Sequence, residues 1–64
     1  MKKQIYNYIQ QYIFVNKYSP TVREICKGVG LYSTNTVHRY LHILKADGRI
    51  DFKDNCPRTI SIKD

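Results

Sequence analysis

Three residues, Gly30-Leu31-Tyr32, are all that separate two stretches whose apolar positions recur with helical spacing. The first stretch carries Val22, Ile25, Cys26 and Val29, and the second carries Val37, Leu41 and Leu44. A short join with a glycine at its corner sets consecutive helices at roughly 90–120° to one another. The limits of both helices can be read from local chemistry. Thr21-Val22-Arg23-Glu24 has the spacing of a capping box, in which hydroxyl and carboxylate each satisfy a backbone amide, so a helix is predicted to begin at Val22. Gly28 and Gly30 are expected to stop it, since glycine tolerates the positive φ of a helix C-cap. Ser33 is an N-cap residue type and opens a helix running to about Ala46, with Tyr40 at the edge of its buried stripe and Asp47-Gly48 as its end.

The flanks supply the remaining elements. Ile5, Tyr8, Ile9, Tyr12 and Ile13 form a stripe, with Asn7, Gln10 and Gln11 opposite, which predicts a helix over Lys2 to Asn16. Ser19-Pro20 is expected to end it, because the residue before a proline is pushed out of the α region. After Gly48 the period changes. Arg49-Ile50-Asp51-Phe52 and Thr59-Ile60-Ser61-Ile62 alternate, with Ile50, Phe52, Ile60 and Ile62 on one face. Lys53-Asp54-Asn55-Cys56-Pro57-Arg58 between them is a polar reversal, so the end of the chain reads as a hairpin that must pack on the helices to persist. The expected fold is mainly α with a small β-hairpin: a winged helix-turn-helix of three helices plus a two-stranded antiparallel wing, in a single domain over residues 1–64.

Charge narrows the function. The 64 residues hold 11 Lys and Arg against 5 Asp and Glu, a net +6, and that excess points to a polyanionic partner. No apolar run approaches the roughly 18–20 residues of a membrane span, and the start of the chain lacks a signal-peptide pattern, so a cytoplasmic location is expected. Cys26 and Cys56 make no disulfide framework and lack zinc-ligand spacing, and His38 and His42 have no third ligand in sight. No metal or other cofactor is expected. An enzyme is not expected either, since so short a chain leaves little volume for a pocket and its supporting shell, and no small-molecule substrate is implied.

In a helix-turn-helix the second helix of the pair enters the major groove by its N-terminus. With Val37, Leu41 and Leu44 inward, the groove-facing positions are Ser33, Asn35, Thr36, His38 and Arg39. Asn pairs two-pronged with adenine, Arg does so with guanine, and Ser or Thr serves several bases. No Asp or Glu occurs from Lys27 through Lys45. Thr21, Arg23, Lys45, Lys53 and Arg58 flank that helix as candidates for phosphate contact, which fixes register without reading sequence. Each assignment has a plainer counterpart. Ser33 is also what capping alone selects, an individual lysine is also a solvated charge, and Tyr8, Tyr12 and Tyr40 fall on or beside core stripes rather than on a base-stacking surface. Tyr32, in the turn, belongs to no stripe.

The residues Ser19-Pro20-Thr21-Val22-Arg23-Glu24-Ile25, Val29-Gly30-Leu31 and Ser33-Thr34-Asn35-Thr36-Val37-His38-Arg39-Tyr40-Leu41 resemble the N-terminal DNA-binding domain of LexA repressors. The resemblance continues through Leu44, Asp47-Gly48-Arg49-Ile50 and Pro57-Arg58-Thr59-Ile60-Ser61-Ile62, and covers nearly the whole chain. It implies a third helix that reads a palindromic operator within a repressor dimer. In that family the base-reading positions fall where Ser33, Asn35, Thr36, His38 and Arg39 stand. His38 and Arg39 occupy places where some members carry acids, so the operator sequence does not carry over. The family's self-cleaving Ser–Lys dyad lies in a further domain that these residues do not supply, so no self-cleavage is expected and any homodimer on DNA is expected to be weak. The expectation is a sequence-specific regulator that binds double-stranded DNA; the alternative is a winged helix that docks on protein, since fold alone does not settle function.

Overall fold

In the computed structural model, which describes residues 1–53, 56 and 58–63, the chain runs α1 (Lys2–Asn16), α2 (Val22–Val29), α3 (Thr34–Ala46), β1 (Ile50–Asp51) and β2 (Ser61–Ile62). The strands pair antiparallel with Ile50 opposite Ile62 and Asp51 opposite Ser61, and the Lys63 amide extends the ladder to the Arg49 carbonyl. The fold is the expected winged helix-turn-helix, with the wing's regular pairing limited to two residues a strand. Asp54, Asn55 and Pro57 of the expected reversal lie outside the described residues, as does Asp64.

The core draws on every element. Ile5, Ile9, Ile25, Val37, Leu41, Leu44 and Ile50 are sealed from solvent, and Phe52 and Ile60 close it from the wing. Apolar area removed from water stabilises at about 25 cal/mol per Å², so these side chains dominate the folding energy. α1 differs from the expectation in its buried arc: Tyr6 is in the core, while Tyr8 and Tyr12 are half-buried. The Arg49 guanidinium lies over the Tyr6 ring at 5.8 Å, so the turn after α3 covers a flank of α1 that its own periodicity left outside.

The element ends follow local chemistry, with two corrections. α1 stops before Ser19-Pro20, at Lys17, whose left-handed backbone (φ 67°) returns its amide to the Ile13 carbonyl. Gly28 is not a stop. It lies inside α2, facing Tyr8 of α1, and a Cβ there would overlap the Tyr8 ring. Gly30 alone supplies the left-handed cap (φ 76°), and the Gly30 and Leu31 amides both return to the Cys26 carbonyl. α3 ends in the same manner around Gly48 (φ 77°), where the Gly48 amide reaches Lys45 and the Arg49 amide reaches Leu44. That 6→1 and 5→2 pairing is a Schellman motif, and it launches β1 directly.

Candidate nucleic-acid interface

The rotational setting of α3 comes from three residues. Val37, Leu41 and Leu44 are at most 1% exposed, which pins one side of the helix to the core. At 100° per residue the opposite line carries Asn35 and Arg39, one turn apart. Both are exposed, as are Ser33 and His38, while Thr36 is half-buried at the flank. The five sequence-predicted base-reading positions therefore lie on α3's first turns, with Asn35 and Arg39 outermost.

The start of α3 is chemically open. Ser33 occupies the N-cap in extended conformation, yet its hydroxyl makes no capping bond. Its carbonyl instead accepts the Cys26 thiol at 3.6 Å, tying the helix start to α2. No acid stands in the first turn, so the helix dipole presents uncompensated positive character there. Thr34 and Tyr32 are exposed at the same end, Tyr32 completely.

α2 and the wing meet α3 along a cleft of about 320 Å³. Its walls bring together Thr21 and Arg23 from the start of α2, His38 from α3, and Lys53 and Arg58 from the wing. Their availability differs. Among the described residues Arg23, Arg39 and Lys53 form no ion pair, and all three are exposed. Thr21 completes its capping box: its hydroxyl accepts the Glu24 amide at 3.2 Å, and Glu24 Oε1 accepts the Thr21 amide at 2.8 Å.

Lys45 and Arg58 are held by the protein itself. Lys45 Nζ donates to the Phe52 carbonyl at 3.0 Å, lies 3.6 Å from Asp51 Oδ1 and sits 4.8 Å from the Phe52 ring centroid. It lashes the end of α3 to β1, away from the cleft. Arg58 donates to the Ser19 carbonyl at 3.0 Å and to Glu24 Oε2 at 3.2 Å, with its guanidinium 4.7 Å above Tyr18. The Tyr12 hydroxyl foremost, and Glu24 after it, hold Arg58 above its ordinary arginine value, so it stays charged. The Thr21 amide, and then Arg58, hold the Glu24 carboxyl below the usual range. Sequence reasoning also missed Thr59, whose hydroxyl accepts the Lys53 amide at 3.0 Å and donates to the Cys56 carbonyl at 3.0 Å, closing the wing loop.

Among the described residues no three His, Cys, Asp or Glu side chains converge as a metal site, and no helix is long and apolar enough to cross a membrane. Both cysteines are free, Cys26 buried and Cys56 exposed.

Residues 1–59 match the family model described as the LexA DNA binding domain. The chain is 43% identical over 61 residues to a LexA repressor of Carboxydothermus hydrogenoformans, covering 95% of this chain and 30% of that protein. It is 49% identical over 59 residues to a LexA repressor of Clostridium novyi (92% and 29%) and 48% identical over 61 residues to one of Clostridium kluyveri (95% and 30%). The chain thus spans about three-tenths of the length of the curated relatives it matches.

Proposed function

This chain belongs to the LexA DNA-binding domain family, and on that premise we propose that it is a sequence-specific double-stranded DNA-binding module of a transcriptional repressor. It acts in the cytoplasm by occupying an operator rather than by catalysing a reaction. The observation that carries this reading is the setting of α3: buried Val37, Leu41 and Leu44 turn Asn35 and Arg39 outward on a helix whose first turn holds no acid.

Ser33, Asn35, Thr36, His38 and Arg39 read base edges in the major groove, with Asn35 suited to adenine and Arg39 to guanine. Arg23 and Lys53, exposed and unpaired among the described residues, neutralise phosphates on either side, and Thr21 presents the start of α2 to the backbone. Lys45 contributes its charge from beneath the wing. The operator is an inverted repeat, bound by two copies whose association is weak without DNA.

Selection of bound duplexes from a random pool tests the whole reading. An enriched inverted repeat supports sequence reading and two-fold assembly together, because half-site spacing mirrors the symmetry of the bound pair. A pool that stays random, with no retention of any duplex at low salt, rejects it in favour of a winged helix that binds protein.

A further inference from the structure

We infer that Arg58 is a positioning residue: it clamps the wing to the start of α2 and masks the Glu24 carboxylate, and does not itself neutralise a phosphate. The inference rests on the DNA-binding reading above and assigns Arg58 a part in it that its charge alone would not suggest.

A guanidinium is a planar fork whose N–H groups all donate and none accept. In Arg58 one prong is on the Ser19 carbonyl (3.0 Å), the other is on Glu24 Oε2 (3.2 Å), and the Tyr18 ring lies beneath at 4.7 Å. These partners belong to the α1–α2 connection and to α2, 39 and 34 residues away in the chain. They fix the direction of the fork, which is turned toward Ser19 and Glu24 within the protein.

The backbone points the same way. Arg58 has φ 58°, a left-handed conformation unfavourable for a residue with a Cβ. Its backbone accepts a conformation that suits Gly better, while its side chain makes contacts that Gly could not.

Glu24 explains why a clamp is wanted there. Its Oε1 is committed to the capping box and its Oε2 to Arg58. It is also an acid beside Thr21 and Arg23, two residues proposed to face phosphate. Left unpaired it would oppose the polyanion at the point of contact. Arg58 cancels that charge within the protein and leaves Lys53, exposed in the same wing, to meet the backbone.

Titration of a labelled mixed-sequence duplex between about 50 and 200 mM salt separates the two roles, because each phosphate contact contributes a slope of about 0.9. Lys53→Ala should lower the slope by about 0.9, the loss of one phosphate contact. Arg58→Ala should weaken binding several-fold with the slope lowered by clearly less than one full contact, because the bared Glu24 charge is itself screened by salt. In the DNA-free protein it should also shift the amide resonances of both Thr59–Ser61 and Ser19 with Thr21–Glu24.

Glu24→Gln keeps the cap, since glutamine serves a capping box as well, and removes the charge. Added to Arg58→Ala it should restore part of the lost affinity. If Arg58→Ala does not fold, Arg58→Lys decides: a point charge still serves a phosphate, but it cannot hold both partners of the fork, so affinity should fall and the wing resonances should move. A slope reduced by a full contact in Arg58→Ala, no recovery on adding Glu24→Gln, or undiminished affinity in Arg58→Lys each overturns the inference. Failure of the unaltered chain to retain duplex at low salt sinks the DNA reading instead, and the free-protein resonances then decide the clamp alone.

Discussion

Asn35 and Arg39 stand one helical turn apart on the outermost line of α3, and both are exposed. Each good bidentate pairing with a base edge discriminates by about 1–3 kcal/mol. Replacing either by alanine should cost about that much on the selected operator and far less on unrelated duplex, so that competition assays show a flattened preference. An unchanged preference in both variants would remove α3 from the groove. These positions were legible because Val37, Leu41 and Leu44 declare the helix phase from sequence alone. The employment of the basic residues was not. Lys53 and Arg58 are basic residues five positions apart, yet the side chain of one is free among the described residues and that of the other is bound to partners more than thirty positions away. Such contacts leave no periodic trace.

Among the elements, caps and stripes carried most of the information. The Thr21–Glu24 box forms as its spacing predicts, and α2 begins at Val22. Where the reading of elements missed, a neighbour decided the outcome. Gly28 shares its residue type with Gly30 but not its task, for it gives Tyr8 of α1 room to lie against α2. Gly28→Ala makes a sharp test because two effects oppose one another. Alanine gains about 0.5–1 kcal/mol in a helix interior. The added methyl must also drive the Tyr8 ring off its packing beside Tyr12 (centroids 6.0 Å apart), and overpacking of that kind costs about 1–3 kcal/mol. A net loss of stability in urea unfolding is expected; a net gain would mean the ring swings aside freely. Tyr6 is the parallel case on α1, buried because the turn after α3 reaches over it.

At the scale of the molecule, 64 residues fold into a body of 26 × 25 × 23 Å with a small reserve of stability. Cores in domains of this size rarely supply more than about 3–5 kcal/mol. Leu41, 1% exposed and shared between α3 and the wing side of the core, should cost about 2–5 kcal/mol when cut to alanine, enough to cancel that reserve. Circular dichroism of Leu41→Ala at 37 °C should show a largely unfolded chain. Acid should act through Glu24. Its carboxyl ionises at lower pH in the folded protein than in the unfolded one, so its contribution is complete above the ordinary carboxylate range and vanishes as pH falls through the lowered folded value. Thermal midpoints should therefore drop on acidification, and the drop should be shallower in Glu24→Gln.

The Schellman turn at Gly48 leaves only Asp47-Gly48-Arg49 between α3 and β1, and Lys45 lashes the same corner from below. Probe helix and wing are thereby welded into one caliper of fixed span. A caliper does not stretch to fit: on the reading proposed above, a residue inserted after Gly48 should free the two jaws from each other and cost affinity on every duplex alike, as a titration of mixed-sequence DNA would show.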